Sequence, residues 1–193
     1  MIGVAVEGIS DRGFWSKLLH REFQGSLFRV GKMGSRDKLI RKAPMLHDAY
    51  RKAKYTGGLF IIDLDKNPCV EELRDLFDEE TRKELKKPLA ERFLHLGVAN
   101  RKIESWYLAD FEAVQAVIPS ADYDLADYSC NWGKKKLGEL WSAEHGRNAT
   151  FNAEDFGLRI ASVFSVERAR KVSPSLHVAW ERIENLVRLS RKE

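Results

Sequence analysis

The sequence predicts an α/β fold: a parallel four-stranded sheet flanked by helices, followed by a helical C-terminal extension. Three observations lead there. Four short runs, IGVAV, SLFRV, LFIID and RFLHLGVA, are apolar with little or no polar alternation, as in strands buried on both faces. Segments with apolar residues at helical spacing lie between them. After Ala99 the pattern is helical almost throughout. Regular alternation of strand and helix is how a chain builds a parallel, helix-covered sheet.

Taken in order, residues 2–6 (IGVAV) form a first strand bounded by Glu7-Gly8. Ser10 is placed to cap a helix carrying Phe14, Trp15, Leu18, Leu19 and Phe23 at helical spacing, with Gly25 closing it. Residues 26–30 (SLFRV) make a second strand. Ser35 is placed to cap a long basic helix through Leu39, Leu46, Ala49 and Tyr50, with a kink expected at Pro44. Gly57-Gly58 reads as a break before the third strand at residues 59–63 (LFIID). Residues 70–87 read as a charged helix with Leu73, Leu76, Phe77 and Leu85 on one face. Residues 92–99 (RFLHLGVA) read as the fourth strand. Helices are then expected over 103–110, near 111–117, near 134–144 and from 154 to the end, with a polar stretch at 119–131. The division this implies is a domain over 1–110 and a helical extension over 111–193 packed on it.

Composition narrows the class. At 193 residues and 44% hydrophobic, the chain supports a sizeable core. No run of eighteen apolar residues occurs, so no membrane span or membrane partner is expected. MIGVAVEG lacks the basic start and cleavage site of a signal peptide and reads as a strand. Cys69 and Cys130 are too few for a disulfide framework, and a reducing cytoplasm is the expected compartment. The net charge of +4 is unevenly spread. Residues 1–54 carry 12 Lys and Arg against 5 Asp and Glu, whereas residues 55–128 carry 9 against 16. A polyanion-binding face beside a cation-binding pocket is one reading, and solvated helix faces that differ in sign are the other.

The segment FIIDLDKNP (Phe60 to Pro68) concentrates the functional question. An apolar strand running into two aspartates is either a turn with a polar lip or the floor of a metal site. The rest of the chain favours the second. Glu7 ends the first strand and Asp63 the third, and parallel strands put both ends on one edge. Asp65 points the same way if the extended conformation persists. Asp11 follows Glu7 by one helical turn, and Glu104 follows the fourth strand by a few residues. Five carboxylates on one edge raise one another's pKa unless a cation neutralises them. Hard oxygen donors select Mg²⁺, Mn²⁺ or Ca²⁺, and the five scattered histidines offer no zinc spacing. Each acid also has an ordinary role open to it: Asp11 at a helix start, Glu104 on a helix surface, Asp63 and Asp65 in a turn.

VEGISD (Val6 to Asp11) after an apolar strand, then FIIDLD (Phe60 to Asp65) two strands later, resembles the TOPRIM superfamily, which spans topoisomerases, DnaG-type primases, recombination proteins and OLD-type nucleases. RKIESWYLAD (Arg101 to Asp110) is similar to the segment after the fourth strand in small TOPRIM-like proteins, some linked to phage defence. KVSPSLHVAW (Lys171 to Trp180) resembles, less specifically, the C-terminal helix of that branch. The resemblance covers roughly residues 1–110. It implies a TOPRIM-like sheet in which Glu7 is a metal ligand or general acid/base and Asp63 and Asp65 hold Mg²⁺ or Mn²⁺. Asp11 and Glu104 would serve a second ion, as in OLD-type nucleases. It also implies a basic residue near the site, for which Lys66, Arg101 and Lys102 are the candidates, with Lys102 carried forward. No Gly-rich loop ending in Gly-Lys-Ser/Thr occurs, so any ATPase would be a separately encoded partner. The large domain that would carry a topoisomerase's catalytic tyrosine is lacking.

Two rivals fail on residues. HAD-type phosphatases need threonine where Asn67 stands. Receiver domains need an acidic pair where the chain has Glu7-Gly8.

Basic residues complete the expectation. Lys32, Arg36, Lys38, Arg41 and Lys42 cluster at a loop and helix start, as a phosphate-backbone tracker would, or as a solvated helix face would. Lys134, Lys135 and Lys136 are a weaker set at another helix start. Trp15, Trp106 and Tyr107 read as core rather than base-stacking platforms. The expected function is Mg²⁺- or Mn²⁺-dependent phosphodiester cleavage of DNA or RNA, in the setting of phage defence. The alternative is a catalytically silent module that docks a nucleic acid or an ATPase partner on the same edge.

Overall fold

The computed structural model describes residues 1–23, 27–65, 69–85, 93–125 and 133–192. Lys66 and Cys130 lie outside them, as do Gly25, Ser26, Arg92 and the expected end of the third long helix at 86–87. The elements are β1 (Ile2–Val6), α1 (Ile9–Phe23), β2 (Phe28–Lys32), α2 (Arg36–Lys52), β3 (Gly57–Asp63), α3 (Val70–Leu85) and β4 (Leu94–Ala99). They continue as α4 (Glu104–Leu108), α5 (Phe111–Val117), α6 (Gly133–His145), α7 (Ala153–Val163), α8 (Val166–Val172) and α9 (Pro174–Ser190). Among the described residues, no helix is long and apolar enough to cross a membrane.

The four strands pair in parallel in the order β2-β1-β3-β4. This is the α/β sheet flanked by helices, with helices at the C-terminal side, that the sequence predicts. The chain leaves β1 toward one neighbour and returns to its other side as β3. The space outside the ends of β1 and β3 is therefore the switch point where such sheets bind ligands.

Alternation along the strands sorts the side chains onto two faces. Ile2, Val4 and Val6 of β1 and Leu59 and Ile61 of β3 join α1 and the helices from α4 to α9 in one core. Ala5, Phe60 and Ile62 turn the other way, against Leu39, Ile40 and Ala43 of α2 and Leu73 and Phe77 of α3. The larger core is rich in rings, with Trp15 meeting Trp106 edge-on at 5.8 Å and Phe14 lying 4.7 Å from Tyr107. The helical extension thus supplies most of the cover for one face of the sheet.

Several boundaries differ from expectation. β2 occupies 28–32 rather than 26–30, because pairing with β1 sets Val30 opposite Val4. Gly57 and Gly58 do not end the preceding helix, which stops at Lys52, but begin β3. A Cβ on Gly57 would stand 2.5 Å from Leu186 Cδ2 and 2.9 Å from the Phe93 carbonyl oxygen, and one on Gly58 would stand 2.9 Å from the Tyr50 ring. α1 begins at Ile9, so Ser10 lies inside the helix rather than capping it. α2 runs as one helix through Pro44, capped by Ser35, whose hydroxyl accepts from Lys38 N. The single helix expected from 154 onward is three: Ser165 caps α8 and Ser173 caps α9, with Pro174 at its first position.

Candidate metal centre

The centre of the acidic edge is a bond between two neighbouring strand ends. β1 stops at Val6, opposite Ile61 of β3, so Glu7 lies beside the last turn of pleat before Asp63. The Asp63 backbone N–H donates to Glu7 Oε1 at 2.8 Å. Asp63 Oδ1 in turn accepts from Ile103 N at 2.9 Å, at the entry to α4. Two carboxylates are thereby oriented by backbone, and the strand ends and the start of α4 are fixed to one another.

The second aspartate is held differently from expectation. The strand does not persist through it: Asp65 is left-handed, at φ 51°, and so is Arg101, at φ 62°. The strand-period argument for its direction is overturned. The two residues latch the β3 and β4 exits together instead. Asp65 N donates to Arg101 O at 2.8 Å, and Arg101 Nη1 donates back to Asp65 O at 2.9 Å. Lys102, the next residue, then reaches over with Nζ 2.7 Å from Asp65 Oδ1 and 3.7 Å from Asp63 Oδ2. Lys102 thus brings its charge to both aspartates, and the Arg101 guanidinium also bonds the loop backbone at Asp65.

Asp11 and Glu104 complete the cluster from two helix starts. Asp11 Oδ2 accepts from Gly8 N at 2.8 Å and its Oδ1 from Ser10 Oγ at 3.2 Å, which closes the first turn of α1. Glu104, in the first turn of α4, is buried, with α6 packed so closely that only glycine fits at 133. A Cβ there would lie 2.7 Å from Ser105 N.

Burial and crowding push three of these acids upward. Desolvation raises Glu7 most, the Asp63 N–H opposes it, and Asp65 and Asp11 add repulsion. Asp63 is held well above the usual carboxylate range, by burial first and then by Glu7, Asp11 and Glu104, against the pull of Lys102. Glu104 is raised by burial and by Asp11, with its own backbone, Lys102 and Lys134 opposing. Each of the five carboxylates thus takes part in at least one of these repulsions, which is the electrostatic condition that a divalent cation relieves.

In donor type and charge the set fits a hard cation: carboxylate oxygens without thiolate or imidazole. Among the described residues, however, no three His, Cys, Asp or Glu side chains are close enough together to form a ligand shell. The acids are held at the edge by backbone N–H groups and by Lys102.

Three residues gain a place that their sequence context did not give. Arg36, expected only as a phosphate tracker, lowers the Glu7 pKa and so faces the acidic edge. Lys134 does the same for Glu104. Tyr107 is fully buried, as a core residue would be, yet among the described residues its hydroxyl has no hydrogen-bond partner, and it lies within the field of Asp11, Glu104 and Asp63. The sequence carries a signal for the first two, since both are basic residues in the first turn of a helix. It carries none for the hydroxyl of Tyr107.

Of the rest of the basic set, Lys32 lies beside the same edge, ending β2 opposite Val6. The following loop is tied to the Glu7 segment, with Met33 N donating to Val6 O and Gly34 N to Glu7 O, both at 2.8 Å. Gly34 has φ 97°, a conformation that favours glycine. Lys38, Arg41 and Lys42 stand exposed along α2 beyond it.

No protein-family model and no curated protein matches the chain. Among solved structures it is similar to the C-terminal region of the OLD protein of Xanthomonas campestris pv. campestris, with a TM-score of 0.50 at 15% identity, over 100% of this chain and 98% of that one. At that identity the likeness shows the fold.

Proposed function

We propose that the protein is a TOPRIM-type, metal-dependent nuclease that hydrolyses phosphodiester bonds in DNA or RNA. The observation that carries this reading is the bond from Asp63 N to Glu7 Oε1, which joins the acidic ends of two neighbouring parallel strands at the switch point of the sheet. The sequence resemblance to TOPRIM proteins and the fold shared with part of an OLD protein support it.

Glu7, Asp63 and Asp65 would hold Mg²⁺ or Mn²⁺, with Asp11 and Glu104 available to a second ion. When bound, the ion supplies Lewis-acid stabilisation of the phosphoryl oxygens. The chain's own residues do the rest. Glu7, whose pKa is raised by burial, accepts the proton of the attacking water or relays it. Lys102 offers its ammonium to the charge that develops on the phosphate. Lys32, Arg36, Lys38, Arg41 and Lys42 track the phosphate backbone toward the edge.

A second reading has its own support. The carboxylates already hold hydrogen bonds to backbone and an ion pair to Lys102, as a silent edge that docks a nucleic acid or a separate ATPase would.

A cleavage panel separates the two. Supercoiled plasmid, linear duplex, single-stranded DNA and total tRNA are incubated with Mg²⁺, Mn²⁺ or EDTA, alongside the Glu7→Ala and Asp63→Ala proteins. The nuclease reading expects cleavage that needs metal and falls by about a hundredfold or more in both variants. Cleavage that survives both substitutions sinks it, and nucleic-acid binding undiminished in EDTA without cleavage favours docking.

A further inference from the structure

Away from the acidic edge, α3, the amino half of β4 and α9 enclose a cleft of about 260 Å³. Phe77 and Leu94 form apolar walls, and Arg74, Arg182, His95 and Asp78 bring polar groups to it. Its charge is unbalanced. Arg74 and Arg182 face the same space with a single carboxylate, Asp78, among the lining residues. Neither guanidinium makes a hydrogen bond or ion pair among the described residues. Arg182 is half-buried, and desolvation together with the repulsion of Arg74 depresses its pKa from the ordinary arginine value. Two like charges held beside each other in a partly dry cleft repel, and an anion between them removes both penalties.

Guanidinium forks match tetrahedral phosphate oxygens in pairs, and two of them suit a dianion better than the single charge of a carboxylate. The cleft is also roomier than a bare phosphate requires, which leaves space for the group that carries the phosphate. The geometry points to a phosphate-binding site for a nucleotide here, with Arg74 and Arg182 as its anion clamp. It is separate from the carboxylate edge, because Leu94 opens β4 and Ala99, at the strand's other end, lies opposite Asp63. The phosphate has two sources with one chemistry: a free mononucleotide, or the terminal phosphate of a nucleic-acid strand.

Calorimetric titration of the full chain in EDTA tests this, with the carboxylate edge kept out of play by the chelator. The probes are inorganic phosphate, adenosine monophosphate, and a short single-stranded oligonucleotide with and without a 5′-phosphate. Adenosine monophosphate binding comparable to the phosphorylated oligonucleotide identifies a free-nucleotide site. Binding of the phosphorylated strand alone identifies a strand-end site. Both outcomes support the proposal if affinity falls roughly tenfold or more in Arg74→Gln and Arg182→Gln, recovers in part in Arg182→Lys, and is unchanged in Asp63→Asn. Circular dichroism checks that the variants are folded. Absence of binding by every probe, or binding undiminished in the double Arg74→Gln, Arg182→Gln protein, overturns it.

Discussion

The ammonium of Lys102 lies 2.7 Å from Asp65 Oδ1, so the chain supplies a cation of its own to the acidic edge. Burial works against that charge, but the hydrogen bond to Asp65 and the fields of Asp63, Asp65 and Glu104 leave its pKa raised. Lys102 and a divalent ion therefore compete for the same oxygens. In the Lys102→Met protein, Mn²⁺ binding measured by calorimetry tightens by roughly tenfold while phosphodiester cleavage falls by about a hundredfold. Weaker Mn²⁺ binding in that protein would assign Lys102 to holding the loop rather than to balancing charge.

Asp63 sets how stability responds to pH. Its folded pKa stands above its ordinary value of 3.8, as those of Glu7 and Glu104 stand above 4.5. The folded state thus keeps protons that the unfolded chain releases. This contribution favours folding fully below the ordinary carboxylate values and is lost as pH rises through the raised ones. Asp63→Asn keeps the acceptor for Ile103 N and removes the charge. The variant should match the parent in unfolding free energy near pH 4 and exceed it by about 1–2 kcal/mol at neutral pH in EDTA, with a higher melting temperature there. Mg²⁺ should stabilise the parent and leave the variant unmoved. Equal melting temperatures across the pH range would contradict the account.

Asp110 and Arg168 form a different kind of acid pair. Asp110 is fully buried, and its oxygens accept from Arg168 Nε at 2.7 Å, Arg168 Nη2 at 3.0 Å and Ser165 N at 2.5 Å. Removing the arginine strands the carboxylate away from water. Arg168→Met should destabilise the protein by roughly 1–3 kcal/mol in urea titration, with activity per folded molecule unchanged.

Tyr107 tests the interior beneath the site. Among the described residues its buried hydroxyl has no partner, so Tyr107→Phe should raise stability by about 1 kcal/mol in the same titration. A loss of stability would mean that the hydroxyl makes a bond in solution.

The sheet was legible because burial on both faces writes an unbroken apolar run, and β1 matches its run at both ends. That Glu7 and Asp63 end neighbouring strands follows from the same runs. Gly57 and Gly58 misled, because a glycine shows that space is short but not which neighbour takes it; here Leu186, Phe93 and Tyr50 do. The breaks in the last helical segment were written in Ser165 and in Ser173-Pro174, but the apolar periodicity across them masked the caps. A turn at Asp63 and Asp65 was one of the readings open to the sequence, but its partner was not legible: the left-handed backbone at Asp65 is held by Arg101, and no local pattern announces a residue so distant in sequence.

The packing of α9 has a consequence for how the molecule is made. Leu186 and Ile183 lie in the same core as Ile2, Val4 and Leu59, so one face of the sheet is sealed by the last long helix. During synthesis β1 to β4 leave the ribosome well before their lid exists. Everything between Ala99 and Pro174 has to emerge first. Until then the core that Phe14, Trp15, Leu18 and Leu19 of α1 begin on that face lacks Ile183 and Leu186.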